Sequence, residues 1–124
     1  MVRFLSPEWV DALDRAARRD PALAQAAHDV SLVVQHEIAD ACYYVDVDAG
    51  TVRVRPGAAA EPTVTFSSDR GTAARIARGE LSAQRAFMNG TLRVSGNIAA
   101  LIGAHDAFAR LPDVFAAVRD NTEF

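Results

Sequence analysis

The chain has 124 residues, half of them hydrophobic, with a net charge of −3 and a mean hydropathy near zero. Roughly two thirds of the unfolded surface can be buried at that length, so one domain over residues 1–124 is expected, and no basic field argues for nucleic acid. The lone cysteine, Cys42, excludes an intramolecular disulfide, no run nears the ~20 apolar residues that span a bilayer, and Arg3 and Pro7 interrupt the N-terminus before a leader-like run forms, which together predict a cytoplasmic protein.

Ser6-Pro7-Glu8-Trp9 is a helix start: Ser caps, Pro suits the first helical position, and an acid sits in the first turn. Trp9, Val10, Leu13, Ala16 and Ala17 then share one helical face. Asp20-Pro21 opens a second, Ala-rich helical piece. From Val30 the period becomes two: Val30, Leu32, Val34, His36 and Ile38 alternate with Ser31, Val33, Gln35, Glu37 and Ala39, which predicts a strand.

A hairpin follows from Cys42 to Arg55. Placing Ala49-Gly50 at its tip pairs Val47 with Val52, Val45 with Val54 and Asp46 with Arg53. A slip of one residue would set Val against Arg, so the side-chain pattern fixes the register. Ala fits a tight primed turn poorly, which predicts a tip looser than two residues.

After a Gly-, Ala- and Pro-rich loop at 56–62, Thr63 to Ser67 reads as a strand with Val64 and Phe66 on one side. Ser68 or Asp69 caps a helix with Ala73, Ile76 and Ala77 inward, and Gly79 ends it. Ser82 caps a short helix that stops at Asn89-Gly90. Thr91 to Ser95 is a strand, and Asn97 caps a helix carrying Ile98, Leu101, Ile102 and His105. Leu111-Pro112-Asp113 opens the last helix, with Leu111, Val114, Phe115 and Val118 on one face. Strands and helices do not alternate regularly, which argues against a doubly wound sheet. The expected class is α+β, with a single mixed sheet of about five strands covered by helices.

No catalytic or metal-binding constellation stands out. His36 and Glu37 are adjacent on a strand and point to opposite faces. His36 reads first as a core or edge histidine, and Glu37 as a solvated strand residue. His105 has no partners at metal-ligand spacing, and no His-x-x-x-His, Cys cluster, P-loop or Gly-x-Ser-x-Gly elbow is present, so no metal and no cofactor is expected. His28-Asp29 suits a capping or turn role, and Cys42 a small core residue. Arg53, Arg55 and Arg93 share the polar alternation of their strands; they read as a solvated face balanced by Asp46 and Asp48, with a stripe toward an anionic head group or membrane surface as the alternative.

Four pieces stand in order: Val64-Thr65-Phe66-Ser67-Ser68-Asp69, then Arg78-Gly79-Glu80-Leu81, Ala86-Phe87-Met88-Asn89-Gly90, and Leu92-Arg93-Val94-Ser95-Gly96-Asn97 leading into the apolar helix from Ile98. On these motifs the segment from Ile76 to Leu101, with the upstream strand, resembles the SCP2 sterol-carrier (sterol-transfer) domain family. The resemblance implies a five-stranded sheet with helices on one face and an apolar tunnel between them for sterols, fatty acids or acyl-CoA esters. On that resemblance Phe66, Ile76, Leu81, Phe87, Met88, Leu92, Ile98, Leu101 and Ile102 are the candidate pocket residues, each with plain core packing as its alternative. The short Cys42–Arg55 hairpin departs from the family pattern.

Three functions follow. The first is non-enzymatic binding or transfer of a hydrophobic ligand by a monomer or homodimer, with transient contact at a membrane surface. The second is a small cavity enzyme of isomerase or hydratase type using His36, Glu37 or His105 as acid or base. The third is a scaffold or dimerisation module, with Phe4, Trp9, Phe115 and Phe124 at an interface.

Overall fold

The structure is a computed structural model describing residues 1–124 apart from the side chains of Phe108, Leu111 and Pro112. Helix α1 (Pro7–Arg18) starts as its sequence dictates: the Ser6 hydroxyl accepts the N–H of Trp9 at 3.1 Å and Pro7 occupies the first turn. It buries Trp9, Val10, Leu13, Asp14 and Ala17. In α2 (Pro21–Ala26) the Asp20 carboxylate caps the N–H groups of Ala22 and Leu23, and Leu23 is buried.

Five strands form one mixed sheet: β2 (Ser31–Ile38), β3 (Ala41–Asp48), β4 (Thr51–Pro56), β5 (Val64–Ser68) and β6 (Leu92–Gly96), in the order β4-β3-β2-β5-β6. Only β2 and β5 run parallel. Val47 faces Val52, Val45 faces Val54 and Asp46 faces Arg53, the register read from the alternation. The hairpin tip departs from expectation. Asp48 pairs with Thr51, so the tip is two residues, and Ala49 (φ 47°) and Gly50 (φ 92°) both take the left-handed conformation of a primed turn. The cost at Ala49 is offset by its surroundings: its N–H donates to Val30 O at 2.8 Å, and that of Gly50 to Ala27 O at 2.9 Å.

Helix α3 (Arg70–Ala77) is capped by Asp69, whose carboxylate accepts the Thr72 N–H at 2.6 Å and is held below the ordinary carboxylate range by that bond. Helix α4 (Ala83–Met88) is capped by Ser82, and α5 (Ile98–Gly103) by Asn97. The last helix, α6 (His105–Arg119), begins six residues before the expected start at Leu111 and continues through position 112. Ala104, Ala107, Val114 and Val118 are all buried, at spacings that keep them on one helical face. Burying that face outweighs the roughly 3 kcal/mol that an interior proline costs. Leu111, expected on the same face, lies outside the described residues.

Two further strands have no alternating signature to read. β1 (Val2–Arg3) and β7 (Thr122–Glu123) pair in parallel and join the two ends of the chain. Phe4 packs on Trp9 (4.9 Å between centroids) and Phe124 (5.0 Å), and Trp9 on Phe115 (6.2 Å). The aromatic residues proposed for an interface are thus packed against one another: Phe4 and Trp9 are buried, and Phe115 and Phe124 are half-buried against the core.

A candidate ligand site between the sheet and the helices

The register places Val52 and Val54, then Tyr43, Val45 and Val47, then Leu32, Val34, His36 and Ile38, then Val64 and Phe66, then Leu92 and Val94 on one face of the sheet. The opposite face carries Gln35, Glu37, Asp46, Arg53, Thr65 and Arg93. There the Gln35 amide donates to Glu37 Oε1 at 2.9 Å and accepts the N–H of Ala59, which ties down the 56–62 loop.

Two small apolar cavities lie between the first face and the helices. One, of about 20 Å³, is lined by Leu23, Leu32 and Val47 and closed by Ala104 and Ala107 at the start of α6. The other, of about 30 Å³, lies among Leu13, Ala17, His36 and Tyr43 and is closed by Val114 and Phe115 further along α6. Val45 and Val52 line both, so the two cavities adjoin under one helix. Each has room for about one or two water-sized spheres, so neither takes an acyl chain without movement of the helices above it.

None of the nine candidate pocket residues lines either cavity. Leu92 is buried. Phe66, Ile76, Leu81 and Leu101 are half-buried. Phe87, Met88, Ile98 and Ile102 are exposed, at 55%, 77%, 43% and 71%. These four sit on α4 and α5, two six-residue helices; α4 rests on β6, and α5 is only sparsely packed. Phe66 connects the two regions: its ring stands edge-on to His36 with 5.3 Å between centroids, and its strand partner is Val94.

His36, Glu37 and His105 do not converge. His36 faces the helices, Glu37 is exposed on the other face, and His105 is exposed at the start of α6. Among the described residues no group of three His, Cys, Asp or Glu side chains is placed to hold a metal ion. Cys42 is half-buried on the face opposite the core, across from Glu37; burial and the Glu37 charge push its thiol up. The arginine stripe also dissolves. Arg53 and Arg55 lie on the β4 edge, Arg93 lies on the β6 edge, and three strands separate them.

Two residues that sequence reasoning passed over matter here. Tyr43 is 3% exposed and continues the inward alternation of Val45 and Val47, which was its signal. His36 stacks on it with 4.6 Å between centroids and 6° between planes. Burial lowers His36 from 6.5 to about 4, so its imidazole is neutral at pH 7, and burial pushes the Tyr43 phenol up. Asp14 is the other. It falls within the apolar stripe of α1, and its Oδ1 accepts the N–H of Val54 at 2.8 Å and Nε of Arg53 at 3.1 Å, while Oδ2 meets Arg18 at 3.1 Å. It thereby satisfies a backbone donor on the edge strand β4.

No helix among the described residues is long and apolar enough to cross a membrane. A comparison with curated protein sequences finds no match. Several solved structures share the fold. A crystal structure of sterol carrier protein 2 superposes with a TM-score of 0.77 at 22% identity, covering 90% of this chain and 96% of that one. A solution structure from Thermus thermophilus, described as possibly a sterol carrier protein, gives 0.77 at 22%, covering 93% and 89%. A stereoselective inverting sec-alkylsulfatase from Pseudomonas sp. contains a similar region, with a TM-score of 0.59 at 21% identity over 79% of this chain and 15% of that enzyme. The profile of the SCP-2 sterol transfer family matches residues 13–107, and the chain belongs to that family.

Proposed function

We propose that the protein binds a hydrophobic ligand such as a fatty acid, an acyl-CoA ester or a sterol, without chemistry, in apolar space opened between the inner sheet face and the helices α3 to α6. The observation that carries this reading is the set of large apolar side chains left exposed on two short helices: Phe87, Met88, Ile98 and Ile102. Phe66, Ile76, Leu81 and Leu101 are half-buried and add further apolar surface that a ligand beneath α4 and α5 could use. Membership of a sterol transfer family supports the same reading.

The energetics suit it. A ligand that removes a few hundred Å² of apolar surface from water gains about 25 cal/mol per Å², enough for micromolar affinity after the cost of association. The adjoining cavities under α6 supply the deeper end of the path, and helix movement joins them. Displacement of a fluorescent fatty acid by palmitate, palmitoyl-CoA and cholesterol tests the proposal. Saturable competition by at least one is expected; no saturable binding by any of them overturns it.

A further inference from the structure

The face that the helices cover is apolar almost throughout, and it holds two hydrogen-bonding side chains, His36 and Tyr43, that take no hydrogen-bond partner from the described residues. Among the described residues neither His36 nor Tyr43 makes a side-chain hydrogen bond, and burial disfavours the charged form of each. Both line the same small cavity, whose remaining walls include Leu13, Ala17 and Phe115. No fully occluded side-chain nitrogen or oxygen among the described residues lacks a partner, so the polar atoms of this pair are not sealed off: they keep some accessible surface at the margin of the cavity, whose own wall is almost wholly apolar. Polar groups placed in an apolar interior without partners are costly. The nearby buried carboxylate of Asp14, by contrast, is fully engaged.

Their position in the sheet gives the pair a direction. Strand pairing sets Tyr43, His36, Phe66 and Val94 in one row across β3, β2, β5 and β6. A chain entering beside β6 would cross Val94 and Phe66 and bring its far end to His36 and Tyr43. We infer that His36 and Tyr43 form a polar anchor at the inner end of the ligand path, selective for a neutral head group that both donates and accepts a hydrogen bond, such as the hydroxyl of a long-chain alcohol or a sterol. This rests on the proposed ligand-binding function and adds to it the class of head group.

The chemistry separates a hydroxyl from a carboxylate. A neutral imidazole offers one donor and one acceptor, and a phenol offers both. A hydroxyl can satisfy each in turn. A carboxylate brought to the same place would need a cation, and the cavity is lined by no lysine or arginine. An unpaired charge in such surroundings is strongly disfavoured.

The test uses the intact protein and the neutral probe N-phenyl-1-naphthylamine, displaced by 1-decanol, 1-chlorodecane and decanoate at pH 7.5. Decanol should compete about tenfold more tightly than 1-chlorodecane and more tightly than decanoate. In Tyr43→Phe and His36→Phe, checked for folding by circular dichroism, the advantage of decanol should fall to within about threefold while 1-chlorodecane is unchanged. Tyr43→Phe removes one oxygen and keeps the ring, so it remains informative if His36→Phe does not fold. Equal competition by decanol and 1-chlorodecane, a preference for decanoate, or an undiminished preference in Tyr43→Phe overturns the anchor and leaves the binding function standing. If neither the probe nor any of the three compounds binds, the binding function falls and the anchor falls with it.

Discussion

The imidazole of His36 lies flat on the ring of Tyr43, 6° from parallel, with the edge of the Phe66 ring against it. Burial holds the histidine neutral, with a folded-state value of about 4 against 6.5 in the unfolded chain. Above pH 6.5 it is neutral in both states, so its titration does not alter stability there. As pH falls from 6.5 to 4 the unfolded chain takes up a proton that the folded protein resists, so stability drops; below 4 the loss levels off. The expected loss is on the order of 2 kcal/mol, reduced from the full linkage value because the ring keeps some contact with solvent. Urea denaturation of wild type and His36→Phe at pH 7, 5.5 and 4 checks this: the wild type should weaken across the series and the variant should weaken much less.

Asp14 predicts a loss in a lower window. Burial alone would raise its carboxyl, yet the Val54 N–H, the Arg53 guanidinium and the Arg18 charge outweigh burial and hold it below its ordinary 3.8. A carboxylate depressed in this way contributes above 3.8, and the contribution is lost as pH falls through its lower folded value. Asp14→Ala leaves the Val54 N–H unpaired at a sheet edge and should cost about 3 kcal/mol at pH 7; Asp14→Asn keeps an acceptor and should cost about half as much. Chemical denaturation at neutral pH measures both.

Residues whose side-chain period matches their element were legible. The hairpin register follows from Val against Val and Asp46 against Arg53, and the opposed faces of His36 and Glu37 follow from alternation alone. What escaped depends on partners distant in sequence. Asp14 reads as an irregularity in an apolar stripe until Val54, forty residues on, supplies its donor. The α6 boundary was misplaced because local proline chemistry points to Leu111-Pro112, whereas packing of Ala104 and Ala107 on the sheet extends the helix backwards. The paired termini were invisible because two-residue strands have no period. The cavities were missed because they lie toward β4, while the sequence resemblance drew attention to β6.

The hairpin tip is open to improvement. Ala49 adopts φ 47°, which costs an L-residue roughly 1–2 kcal/mol, and Gly50 already fills the second turn position. Ala49→Asn creates the Asn-Gly pair that primed turns favour. It should stabilise the protein by about 0.5–1 kcal/mol and raise Tm by a few degrees, read from a thermal melt.

Gly96 should tolerate no side chain. Its φ is +103°, and a Cβ there would sit 2.5 Å from the carbonyl oxygen of Thr63. That oxygen also accepts the Asn97 N–H at 2.9 Å, so it cannot withdraw freely. Gly96→Ala should push β5 and β6 apart at a cost of about 2–4 kcal/mol, measured by urea denaturation.

The exposed apolar side chains give the sharpest division between ligand wall and core. A residue that packs the core lowers stability by about 2–5 kcal/mol when truncated, whereas an exposed one changes it by less than about 0.5. Phe87, Met88 and Ile102 are all more than half exposed. Phe87→Ser, Met88→Ser and Ile102→Ser should therefore leave the urea midpoint nearly unchanged. If these side chains close over a ligand, each substitution removes apolar contact from the complex alone and should weaken binding of a fluorescent fatty acid about three- to tenfold. The two roles separate on the same three variants: a ligand wall loses affinity and keeps stability, whereas core packing loses stability. Unchanged affinity with unchanged stability would remove α4 and α5 from the binding site.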